Sequence, residues 1–137
     1  MKLAIIDLGT NTFTLLIAQI KAKQYNVICK NKVGVKLGED GIDKGIIEKK
    51  AFKRGLDAIE QHKKIIDLHA VDKVIAFATS AIRSTSNGNQ FRKEVFKLYG
   101  IEIEVIDGNR EADYIYHGVK QALDLGNDNC LIMDIGG

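Results

Sequence analysis

Two short stretches of this chain end an apolar run in an aspartate, an aliphatic residue and a glycine. The first is Ile5-Ile6-Asp7-Leu8-Gly9; the second is Ile132-Met133-Asp134-Ile135-Gly136, followed by Gly137. The first continues into Thr10-Asn11-Thr12. A glycine followed by small polar residues makes a tight turn that aims backbone N–H groups and hydroxyls at one spot. Gly9 is expected to use its freedom to take positive φ there. A carboxylate beside such a turn suits phosphate together with a divalent cation. Taken alone, the first stretch reads more readily as an ordinary hairpin whose Asp7 ends a strand. Two strand–Asp–aliphatic–Gly units in one chain are the mark of a duplicated phosphate-binding fold.

Two further turns carry chemistry-bearing residues. Thr79-Ser80-Ala81-Ile82-Arg83 sets hydroxyls around a single arginine, whose paired donors match phosphate oxygens. Arg83 reads equally well as a surface arginine capping a helix. Asp107-Gly108-Asn109-Arg110-Glu111 leads into a helix. A carboxylate there can orient a water and accept its proton, as phosphoanhydride hydrolysis requires. Acids are also common in first helical turns because they complement the dipole, and by itself that reading is the stronger for Glu111. His62, His69 and His117 lack metal-ligand spacing and read as structural or surface residues. Tyr114 and Tyr116 read as core or helix-surface residues.

These turns must be positioned by the elements around them. Leu3 to Ile6 predicts a strand buried on both faces, with Asp7 at its end and a hairpin partner over Thr14 to Ile20. Asn26 to Lys30 and Lys32 to Leu37 predict further extended segments, the second half-buried because apolar and polar residues alternate. Gly38 to Gly45, with three acids, reads as a solvated loop. Ile47 to about His69 predicts a long amphipathic helix with Phe52, Leu56, Ile59 and Ile66 inward. Val74 to Ala78 predicts a buried strand, and 79–89 a loop. Gln90 to Tyr99 predicts a helix with Phe91, Val95 and Phe96 inward and Gly100 as its left-handed cap. Ile101 to Ile106 alternates as a strand. The last helix, ending near Gly126, turns Ile115, Val119, Ala122 and Leu123 to one face, and Cys130 to Ile135 predicts a closing buried strand. The order is a mixed α/β sheet with helices on its faces. In open sheets of this kind ligands gather outside the carboxyl ends of the strands, so the three polar turns should converge.

Composition narrows the classes. The chain has 137 residues, 45% hydrophobic and 28% charged, with net charge +2. That is a globular domain able to bury a core, and too mildly basic to imply nucleic acid. No run reaches membrane-spanning length and no signal-peptide pattern opens the chain, so no membrane and a cytoplasmic location are expected. Cys29 and Cys130 read as buried thiols and not as a disulfide or metal pair. Gly136-Gly137 reads as the start of a loop, as though a second lobe followed.

Together, Ile6-Asp7-Leu8-Gly9-Thr10-Asn11-Thr12-Phe13, Ala78-Thr79-Ser80-Ala81-Ile82-Arg83, Ile106-Asp107-Gly108-Asn109-Arg110-Glu111-Ala112 with Tyr116-His117-Gly118-Val119, and Met133-Asp134-Ile135-Gly136-Gly137 resemble the exopolyphosphatase / guanosine pentaphosphate phosphohydrolase family. The resemblance implies an actin-like, ribonuclease-H-like lobe over residues 1–126, with 127–137 a linker and the opening strand of a second lobe. It implies magnesium-assisted removal of terminal phosphate from polyphosphate, or of the 5′ γ-phosphate from guanosine pentaphosphate. By this resemblance Glu111 and Asp134 are catalytic, Asp7 and Asp134 serve the metal, and Gly9, Thr10, Asn11, Thr12, Ser80, Arg83, Gly136 and Gly137 hold phosphate. Arg110 and Asp113 depart from the family pattern, which usually carries glutamate and arginine there. Arg110 is left between strengthening phosphate binding and pointing to water.

Three functional classes follow. The first is the hydrolase, with 1–137 inactive alone. The second is a sugar- or acetate-type kinase of the same superfold, which the Asp7–Thr12 turn fits equally well. The third is a non-catalytic polyphosphate- or nucleotide-binding module. A homodimer through strand 131–135 is a further expectation, since that strand would otherwise lack a sheet of its own.

Overall fold

The computed structural model describes residues 1–22, 24–124, 126 and 129–134. Five strands form one mixed sheet: β1 (Lys2–Leu8), β2 (Thr12–Lys21), β3 (Gln24–Gly34), β4 (Lys73–Ala78) and β5 (Ile103–Val105). Their order across the sheet is β3-β2-β1-β4-β5. β1–β2–β3 is an antiparallel meander, with a bulge at Ile17/Ala18, whereas β4 and β5 run parallel to β1. The helices are α1 (Lys49–Leu68), α2 (Ser80–Ser84), α3 (Gly88–Tyr99) and α4 (Gly108–Ala122). The parallel pairs need crossovers, which α1 and then α2–α3 supply.

One face of the sheet carries the core. Alternation puts Ala4, Ile6 and Leu8 of β1 and Phe13, Leu15 and Ile17 of β2 on that face, all fully buried. α1 and α3 cover it. Phe91 of α3 sits edge-on to Phe13 and Phe52, with ring centroids 6.2 Å and 5.1 Å away. Gly55 of α1 admits that ring, since a Cβ there would lie 2.8 Å from Phe91. The opposite face carries Ile5 and Asp7 of β1, which are not fully buried, so β1 is not buried on both faces as expected.

Other expectations are also corrected. Asp7 is the next-to-last residue of β1, which runs one residue further, to Leu8. Residues 80–84 of the expected loop form α2, closed by Thr85 Oγ1 donating to the Ala81 carbonyl at 2.7 Å. Residues 42–44 of the expected solvated loop form a 3-10 turn. Phe96 is exposed, because it lies about 140° around α3 from Phe91, off the buried stripe. α4 buries none of its residues, and Leu123 is exposed. Residues 129–134 are not a strand: Leu131 and Met133 are 87% and 72% exposed, and Cys130 is exposed as well. These residues pair with neither edge of the sheet, so no backbone ladder holds them extended. Among the described residues no helix is long and apolar enough to cross a membrane.

Candidate active site

The site forms at the carboxyl ends of β1, β4 and β5. β1 runs straight into the hairpin turn at Gly9, closed by Gly9 N–H donating to the Thr12 carbonyl at 3.1 Å. Gly9 does not take positive φ there. It is needed for close approach instead: a Cβ would lie 3.0 Å from the Thr12 carbonyl oxygen. The turn is strapped from outside, since Thr10 and Asn11 offer their carbonyls to the backbone N–H groups of Leu37 and of Val35 and Lys36. Beside it, Thr79 N–H donates to the Leu8 carbonyl at 3.4 Å, which sets the β4–α2 turn against the β1–β2 turn. Ser80 is exposed at the first residue of α2.

Arg83 leaves the last turn of α2 toward the end of β5. Its Nη1 donates to the Ile106 carbonyl at 2.7 Å and lies 3.5 Å from Glu111 Oε2. Glu111 stands in the first turn of α4. That turn is fixed by Asp107, whose side chain accepts from Arg110 N–H at 2.8 Å as an N-cap. Asp7 reaches the same place from β1. Its carboxyl is held above the ordinary carboxylate value, first because neighbouring atoms exclude water from it, then because Glu111 and Asp134 add negative charge nearby. Glu111 and Asp134 also line one open hollow of roughly 740 Å³, with Gly108, Tyr116 and Lys120.

The structure therefore gathers Asp7, Arg83, Glu111 and Asp134. Thr10, Asn11 and Thr12 line a separate shallow hollow with Lys36 and Glu39. Gly136 and Gly137 lie outside the described residues. Arg110 is exposed, with both Nη atoms gripping the Glu104 carboxylate and Nε donating to Tyr114 Oη at 2.9 Å. Glu104 and Tyr114 are partners that sequence reasoning missed. Strand alternation marks Glu104 as outward-facing, but only strand order shows what lies above it.

The donors fit a hard divalent cation in kind, being carboxylate oxygens. Among the described residues, no three His, Cys, Asp or Glu side chains close into a ready-made metal cage. Magnesium commonly binds with only one or two carboxylates, the rest of its shell being water and substrate phosphate. Carboxylates crowded enough to raise Asp7 suit such a shared ion.

Residues 16–137 match the model of the Ppx/GppA phosphatase family, most of the chain. This chain belongs to the Ppx/GppA phosphatase family. The curated bifunctional 3-dehydroquinate synthase/phosphatase of Fusobacterium nucleatum subsp. nucleatum is 37% identical over 142 residues, covering 98% of this chain and 21% of that protein. The crystal structure of an exopolyphosphatase from Cytophaga hutchinsonii is 44% identical with TM-score 0.86, over 88% of this chain and 39% of its own. The Aquifex aeolicus member of the Ppx/GppA family is 32% identical with TM-score 0.83, over 90% of this chain and 40% of its own. The chain thus spans about a fifth of that curated relative and about two fifths of those structures. The sheet and its helices are the actin-like, ribonuclease-H-like fold of this Ppx/GppA family.

Proposed function

We propose that this Ppx/GppA chain is the first lobe of a phosphoanhydride hydrolase that removes terminal phosphate from polyphosphate, or the 5′ γ-phosphate from guanosine pentaphosphate. The observation that carries the reading is the meeting of Arg83, Glu111, Asp7 and Asp134 at one set of strand ends. On this reading residues 1–126 are the first lobe, and 127–137 lead into a second lobe that completes the cleft. The setting is cytoplasmic.

The roles follow from the chemistry. Glu111 orients a water and takes its proton as the water oxygen bonds to the terminal phosphorus. The bond from that phosphorus to the bridging oxygen breaks, and the shortened chain leaves with the negative charge. Arg83 offsets charge on the transferred phosphoryl oxygens with donors in a fixed fork. The Gly9–Thr12 turn and Ser80 hold neighbouring phosphate oxygens. Asp7 and Asp134 are the residues that would hold magnesium, whose contribution is to neutralise phosphate charge. The name exopolyphosphatase borne by the Cytophaga hutchinsonii relative supports the polyphosphate substrate.

The test is phosphate release by the full-length protein with magnesium, comparing long-chain polyphosphate, guanosine pentaphosphate and ATP. Release from either of the first two is expected. Glu111→Gln should lower it by roughly 10²–10⁴-fold, the range of a lost general base. Full activity in that variant would remove Glu111 from the chemistry.

A further inference from the structure

α4 carries Glu111, yet it buries none of its residues. Ordinarily an amphipathic helix is fixed by its apolar stripe. Here Ile115 and Val119 are only half-buried, so other contacts must help set where the first turn of α4 sits. The register of the sheet shows what they are. Asp7 pairs with Phe77, and Phe77 pairs with Glu104, so the three side chains stand in one row on the same face. The first two turns of α4 lie across that row. Glu111 comes within electrostatic reach of Asp7. The Tyr114 ring packs at a tilt of 50° against Phe77, with centroids 5.3 Å apart. Arg110 reaches Glu104 with both Nη atoms.

Arg110 joins two of these contacts into one. Its Nε donates to Tyr114 Oη at 2.9 Å, and its guanidinium carbon lies 5.4 Å from the centre of the same ring. An exposed ion pair is usually weak because two long side chains must be held still. This one is bidentate on the carboxylate, and its third donor and its flat face are both satisfied by a tyrosine already seated on the sheet. Its partner Glu104 belongs to β5, which the ladder to β4 ties to the sheet.

We propose that Arg110 is a positioning residue for Glu111: gripped by Glu104 and Tyr114, it latches the start of α4 to the sheet edge and sets the glutamate beside Asp7 and Arg83. The proposal rests on the hydrolase reading of Glu111. It does not make Arg110 a phosphate ligand, since one N–H on each of its three nitrogens is committed to Glu104 or Tyr114, on the far side of the row from Asp7.

The experiment uses the full-length protein and three variants: Arg110→Ala, Glu104→Ala, and the exchange of the pair, Arg110→Glu with Glu104→Arg. Two readouts are taken: hydrogen exchange at the α4 amides of residues 112–119, and kcat and KM for phosphate release from polyphosphate. Each single variant should speed exchange in α4 and lower kcat about tenfold, with KM within about twofold, as expected when a base is misplaced without loss of binding contacts. The exchanged pair should recover a large part of both. Unchanged exchange and kcat in the single variants would make Arg110 an ordinary surface residue and overturn the latch. Faster exchange with unchanged kcat would leave a latch that positions nothing, which also overturns the proposal. A rise in KM alone would point to phosphate binding instead. If the unmodified protein releases no phosphate while its exchange still depends on the pair, the hydrolase reading is what fails, and the positioning role falls with it.

Discussion

Asp7 and His62 are both held where charge is disfavoured. For Asp7 the exclusion of water comes first, and the negative charges of Glu111 and Asp134 add to it. His62 is buried within the hydrophobic side of α1, fully inaccessible, and neither ring nitrogen has a hydrogen-bond partner. Burial alone pushes its pKa down to about 4. In the unfolded chain the same imidazole takes a proton near its ordinary value of 6.5. The unfolded state therefore binds more protons between these two values. Stability falls as the pH drops from 6.5 toward 4, and the loss is complete below 4. The full effect is about 3 kcal/mol, since each tenfold loss of proton affinity is worth about 1.4 kcal/mol. Urea unfolding at pH 7 and pH 5 should show a drop of about 2 kcal/mol that is absent in His62→Met. An equal drop in both proteins would assign the acid sensitivity to other groups.

At the scale of elements, α1 and α4 are opposites with similar sequence periodicity. α1 buries Ala51, Gly55, Ala58, Ile59, His62 and Ile66. α4 buries nothing. A glycine in each measures the difference. In Gly55→Ala the new methyl meets Phe91 at 2.8 Å and Leu37 at 3.1 Å. Overpacking of this kind should cost about 1–3 kcal/mol, more than the helix gains from losing a glycine. In Gly118→Ala the methyl enters open space. There the helix preference acts alone and should stabilise by up to about 1 kcal/mol. Denaturation midpoints of the two variants should move in opposite directions. Movement in the same direction would mean that α4 is packed more closely than its exposure indicates.

At the scale of the whole molecule, the sheet is covered by α1 and α3 on one side and only crossed by α4 on the other. The carboxyl-end site lies on the open side, beside residues 129–134, with Leu131 and Met133 exposed next to it. On the two-lobe reading, water cannot be excluded from this half-cleft, and charge interactions at phosphate stay weak. Residues 1–137 alone should therefore release no phosphate from polyphosphate under conditions where the full-length protein does. Measurable turnover by 1–137 would place the whole catalytic apparatus in this lobe and end the two-lobe requirement.

The types and order of β1 to β5 and of α1, α3 and α4 were legible in the sequence because hydrophobic period is a local signal, whereas the five-residue α2 was not. Ile59 and Ile66 recur at helical spacing, and Gly100 takes the left-handed cap at φ +67° that its place after Tyr99 implies. The alternation of Val33, Val35 and Leu37 ran past the strand, which ends at Gly34. Asp7, Arg83, Glu111 and Asp134 stood out only through the resemblance of their motifs to a family, since each turn taken alone also reads as an ordinary strand end or helix start. Neighbours across the sheet were not legible. Strand order decides that Phe77 lies between Asp7 and Glu104, and no local pattern encodes strand order. The same limit hid the fate of Arg110, the exposure of Phe96 and α4, and the irregular path of 129–134. An apolar stripe says that a segment can be buried, whereas only the tertiary structure supplies the surface that buries it.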